Sequence, residues 1–239
     1  MRYTLGELGR AHTELTRAVA LAHDDRDLQM LAQASYVLGH VELATGNVDA
    51  ARDLFSCSLE QFQALAIPWG TGGALTGLAW AALLEGDAGQ VERLLDDATL
   101  VLRNAGPWFL SLVGYLRAIL AVRRGNADET IALVRESLTR IGELRDKFAF
   151  VYALVPLAAA AVLKGNDAWA ARILGAREAV TERTGTTIVD PSVDDLRERA
   201  EREVRDRLGP DQWARAYAAG RTMSIDALLK DIEGGVQKR

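Results

Sequence analysis

Three observations converge on an all-α chain assembled from helix–turn–helix repeats. A glycine recurs about every forty residues, at Gly6, Gly46, Gly86, Gly125 and Gly165, within TLGELGRA, ATGNVDAA, LEGDAGQV, RRGNADET and LKGNDAWA. Helix formers dominate, with 39 Ala and 34 Leu against 5 Pro. No run alternates with period two over a useful length, apart from the brief TTIVD. Self-similarity at this period is the mark of stacked units, each burying its apolar face against its neighbours. One continuous α-solenoid over residues 1–184 is therefore expected, with a helical cap and tail over 185–239.

Each glycine serves as an origin for the pattern around it. Seven residues earlier stand the small residues Gly39, Ala79, Ala118 and Ala158, preceded by Leu38, Leu78, Arg117 and Leu157. Five residues later come Ala11, Ala51, Val91, Thr130 and Ala170; nine later, Leu15, Phe55, Leu95, Val134 and Leu174. Small residues let two helices approach, and large apolar ones fill the gap between them. Glycine accepts the left-handed conformation that ends one helix, and the Asn or Asp after it starts the next. First helices are predicted near 28–45, 69–85, 108–124 and 147–164, and second helices near 48–65, 88–104, 127–144 and 167–184. Pro68 and Pro107 suit helix starts. Pro156 falls inside the fourth first helix, where a kink or break is expected.

The order leucine, small residue, glycine seven on, then small and large apolar positions, resembles the tetratricopeptide repeat (TPR). The resemblance covers residues 1–184 and implies a right-handed α-solenoid, with helices about one turn longer than the 34-residue unit. Beyond it, TGTTIVDPSVDD reads as a loop, with Pro191 and Ser192 introducing a charged helix over 193–208. GPDQWARAYAAGR predicts a short helix ending at Gly220, and MSIDALLKDI another capped by Ser224. AARILGAREAV, the charged helix and LGPDQWARAYAAGRTMSIDALL resemble the C-terminal end of large bacterial STAND and LuxR-type signalling regulators. In that family an ATP-binding domain precedes TPR-like repeats, and a DNA-binding, cyclase or kinase domain accompanies them.

This chain carries no GxxxxGK[ST] phosphate loop and no convincing helix-turn-helix signature. ATP binding and DNA reading would belong to segments outside it. Gly6 is the turn of the first repeat, and only five residues precede it. The expectation is a fragment of a larger protein, or a start covered by another subunit.

A formal net charge of −5 with interspersed signs argues against a nucleic-acid stripe. One cysteine, Cys57, excludes an internal disulfide and fits a reducing cytoplasm. The N-terminal residues have no signal-peptide core, and no apolar run is long enough for a membrane span. His12, His23 and His40 lack metal-ligand spacing, and no catalytic constellation is present, so neither an enzyme nor a cofactor is predicted. Gly70, Gly72 and Gly73 in PWGTGGAL lack the preceding strand and lysine of a phosphate cradle. A meeting of His12 with Cys57 would be coincidental.

In TPR stacks the first helices line a concave groove. By that resemblance the groove candidates are Gln33, Tyr36, His40, Thr76, Trp80, Tyr115, Arg123 and Tyr152, beside Gly73, Leu112, Ile119, Val155 and Ala159. They make an aromatic, mostly uncharged surface with one basic group, suited to a peptide, an amphipathic helix or a ring-bearing ligand. Packing between repeats is the competing role for Tyr36, Trp80 and Tyr115. Trp69, Trp108 and Phe148 form a further series at helix starts, expected to pack between repeats. Trp213 and Tyr217 are expected to dock the tail. The resulting expectation is a non-catalytic interaction or sensor module of a signalling or transcriptional regulator, with a protein or peptide partner in the groove. A small-molecule inducer receptor is the alternative, favoured if polar groups converge on Arg123. No direct nucleic-acid or membrane contact is expected.

Overall fold

A computed structural model describes residues 7–104, 107–144, 147–184, 190–224, 227, 228, 230 and 231. Gly6 and residues 185–189 lie outside this set, as do the side chains of residues 141–150, Phe148 among them. The described residues are all-α, with α1 Leu8–Asp24, α2 Leu28–Ala44, α3 Val48–Ala64, α4 Pro68–Glu85 and α5 Ala88–Leu102. There follow α6 Pro107–Arg123, α7 Ala127–Leu144, α8 Lys147–Leu163, α9 Asp167–Thr184 and α10 Pro191–Arg221. The eight helices between residues 28 and 184 begin and end within two residues of the predicted bounds. Among the described residues no helix is long and apolar enough to cross a membrane.

The turns explain that agreement. Gly46, Gly86, Gly125 and Gly165 all take positive φ, between 70° and 83°. The following N–H then reaches back five residues, Asn47 to the Glu42 carbonyl and Asn166 to the Ala161 carbonyl, both at 2.9 Å. This closure satisfies carbonyls the helix end would otherwise leave bare. Asp87 accepts from the Gln90 N–H at 2.9 Å and so starts α5. Asn47 instead spends its amide on the buried Glu42 carboxylate, 2.7 Å away. Arg26 and Ala66, themselves forty residues apart, hold the left-handed position at the other two described turns.

The chain divides into two compact units. The first holds the described residues up to Leu116, together with Asp190–Ser192; the second holds Arg117–Thr184 and the described residues from Val193 onward. In the first, each of α1 to α4 packs on the next, and α2 also meets α4. Phe55 is fully buried, and a Cβ built on Gly39 or Gly77 would fall 2.7 or 2.5 Å from its ring. These two glycines let α2 and α4 close on α3. Gly70 and Gly72 do the same for Phe62 and Leu102. PWGTGG is thus a close-packing stretch inside a helix.

In the second unit α8 packs on α7 and on α9. The expected break at Pro156 does not occur: α8 runs through it. Its neighbours Val155, Leu157 and Ala158 are buried. Their packing outweighs the roughly 3 kcal/mol an interior proline costs. α10 starts two residues earlier than predicted, at Pro191, and breaks at Gly209 (φ 72°, ψ 167°). The stretch is thus two helices meeting at Gly209, and the segment expected as a separate helix is the second of them. Trp213 is buried, and Gly220 and Gly175 bring α10 and α9 into main-chain contact. The Ala227 N–H donates to Ser224 Oγ, as expected of a cap.

Candidate functional site

Helices α2 and α4 present equivalent positions six residues before their turn glycines, filled by His40 and Trp80. One helical turn earlier stand Tyr36 and Thr76, and in α6 that earlier position is Tyr115. Residues four apart share a helix face, so the three helices pool their rings. Tyr36 meets His40 edge to face at 4.7 Å, His40 meets Trp80 at 5.7 Å, and Trp80 meets Tyr115 at 5.7 Å. Phe55 of α3 lies under this ladder, 5.0 Å from His40 and 6.0 Å from Tyr36. Such ring pairs carry about 0.5–1.5 kcal/mol beyond the area they bury.

The polar edges of the ladder converge on Asp190. Trp80 Nε1–H donates to Asp190 Oδ1 at 3.2 Å and to Ser192 Oγ at 3.3 Å, while the Tyr115 hydroxyl donates to Asp190 Oδ2. The Ser192 N–H (2.9 Å) and hydroxyl (2.5 Å) also donate to Asp190 Oδ1. Asp190 is therefore the N-cap of α10, with Pro191 at the first helical position, and the acceptor for two ladder donors. It is 2% exposed, and among the described residues no arginine or lysine pairs with it. Burial pushes its carboxyl pKa up, against the pull of hydrogen bonds from Ser192, Tyr115 and Trp80.

His40 is half-buried and makes no hydrogen bond among the described residues. Burial among rings holds its pKa down, to about 4 from 6.5. The fold thus favours neutral imidazole. That stability is complete above pH 6.5 and is lost as pH falls toward 4, amounting to about 3 kcal/mol. Asp190, the titratable group at the other end of the ladder, acts in the opposite sense, because protonation relieves its burial. His40→Gln is expected to flatten the loss of unfolding free energy between pH 7 and pH 4 by about 2–3 kcal/mol. Urea unfolding at several pH values measures this, and parallel curves for variant and wild type would refute it.

Of the eight candidate residues, Tyr36, His40, Trp80 and Tyr115 come together in the first unit. Thr76 is buried, its hydroxyl donating to the Gly72 carbonyl at 2.7 Å within α4, and Gln33 is half-buried on α2. Arg123 is exposed at the end of α6 and Tyr152 half-buried in α8, both in the second unit. His12 Nε2 lies 2.9 Å from Glu42 Oε1, whereas Cys57 faces the Ser35 hydroxyl at 3.9 Å, so His12 and Cys57 do not pair. Trp69 and Trp108 are 39% and 36% exposed, although each meets the Phe109 ring. Among the described residues no three His, Cys, Asp or Glu side chains form a metal-sized group.

Asp190 and Ser192 are the site residues that sequence reasoning missed. Their Asp-Pro-Ser order signals a helix start, which they also make. Nothing local signals partners so far away along the chain. No protein-family model matches the chain, and no curated protein matches it in sequence.

Proposed function

We propose that the chain is a non-catalytic interaction and sensor module that seats a short stretch of polypeptide on the aromatic face of its first helices. Its architecture on this reading is a TPR-like, right-handed α-solenoid with a period of about forty residues. Left-handed turn glycines at that spacing and the packing of successive helices support it. On the same reading, which takes up the resemblance of the sequence to the C-terminal part of bacterial STAND and LuxR-type regulators, the module would work beside an ATP-binding switch in the cytoplasm. A partner bound more tightly by one state of that switch would shift its equilibrium. The observation that carries the reading is the grip of Trp80 and Tyr115 on Asp190, through a ladder of rings that extends to Tyr36.

The second reading is a receptor for a small inducer. The neutral imidazole of His40, half-buried and without a hydrogen-bond partner among the described residues, favours it as a polar handle in an aromatic setting.

Photo-crosslinking residues placed at Gln33 and Tyr36 in the source cell test the proposal. The expected result is one discrete protein adduct that Trp80→Ala removes. Adducts unchanged by Trp80→Ala, or none at all, would overturn it, and protection of the ladder by a low-mass ligand would favour the receptor.

A further inference from the structure

The occupant of the ladder has a definite chemistry. One carboxylate takes the indole N–H of Trp80 and the hydroxyl of Tyr115, one on each oxygen. Two residues on, Ser192 returns its N–H and hydroxyl to the same carboxylate and accepts from Trp80. Asp190 thereby has four donors and, among the described residues, no cation, and Ser192 is likewise buried. Four hydrogen bonds of this kind offset part of the hydration that a buried carboxylate gives up, and donors without a full positive charge do not attract anions at long range. Selectivity then rests on geometry: an Asp followed two positions later by a hydroxyl residue, in the turn that opens a helix.

Resting on the reading that this face seats polypeptide, we propose that the Trp80–Tyr115 edge is a recognition site for an acidic peptide of the form Asp-x-Ser. Residues 190–192 of the chain fill it in cis as a competing occupant. A partner carrying the same element gains the face by displacing Asp190. The apparent affinity for that partner is reduced by the fraction of time the site is closed. The sequence around 190 is its own best probe, because it presents the element already seated.

A labelled peptide, IVDPSVDD, titrated against the full chain tests this by fluorescence anisotropy. Asp190→Ala is expected to bind it at least about tenfold more tightly than wild type. Trp80→Phe with Tyr115→Phe in that background should abolish binding, as should replacing the first of the peptide's three Asp residues, the counterpart of Asp190, by Asn. An Asp190→Ala chain of unchanged helicity that fails to bind at millimolar peptide would overturn the proposal. Equal binding by wild type and Asp190→Ala would also overturn it. If Asp190→Ala does not fold, the wild-type Trp80 indole N–H resonance is followed at excess peptide. It should move with the Asp peptide and not with the Asn peptide, and no movement overturns the proposal. The crosslinking result is independent: a discrete adduct without peptide binding leaves the interaction role standing and removes only the acidic specificity.

Discussion

Replacing Phe55 by Ala is expected to lower the unfolding free energy by about 3–5 kcal/mol. The ring is fully buried, and its neighbours across the interface include Gly39 and Gly77, which have no side chain to swing into the void. A cavity that cannot collapse costs the full loss of contacts in addition to the transfer term. The same substitution removes the platform under His40 and Tyr36. The aromatic near-ultraviolet circular dichroism should therefore weaken at temperatures where helicity is intact. Urea unfolding reads the energy, and a loss below about 1.5 kcal/mol would show that the three helices repack.

Gly220→Ala is expected to cost about 3 kcal/mol in the second unit, the upper end of the usual range for overpacking. A Cβ there would stand 1.9 Å from the Arg172 carbonyl oxygen, and one on Gly175 would stand 2.1 Å from the Tyr217 carbonyl oxygen. The opposing atoms are main chain, so no rotamer change relieves the clash and α10 must move off α9. The Arg221–Glu182 pair, 2.6 Å apart at its shorter contact, would separate with it. Limited proteolysis checks this, because the freed second half of α10 should be cut well before the wild-type segment. Wild-type protease resistance in the variant would mean that the close approach is not required.

Much of the fold was readable because its determinants are local. A glycine that must take positive φ and the apolar positions at fixed offsets from it all lie within a few residues of the boundary they set. Hence α2 to α9 match their predicted bounds. The break offered at Pro156 does not occur for the opposite reason: a local penalty of a few kcal/mol lost to burial of the whole helix, which is a tertiary quantity. The site was half readable. Tyr36, His40, Trp80 and Tyr115 follow from repeat positions, and their meeting follows from helix spacing. The carboxylate that organises them could not be inferred, since Asp-Pro-Ser gives the same local signal whether or not it enters an aromatic face. Arg123 illustrates the remaining limit: the repeat offset chose it, but its position at the end of α6 leaves it exposed, in a different unit from the ladder.

The contacts of Asp190 also order events in time. Its partners Trp80 and Tyr115 lie 110 and 75 residues earlier in the chain, whereas the helix pairings join neighbours along the sequence. Near-neighbour pairings close small loops and form fast; a contact across so long a loop waits for both ends. During synthesis at about 5–20 residues per second, the 75 residues from Tyr115 to Asp190 take roughly 4–15 seconds to emerge. A nascent chain therefore brings the residues of the ring ladder into being before its own carboxylate has been made.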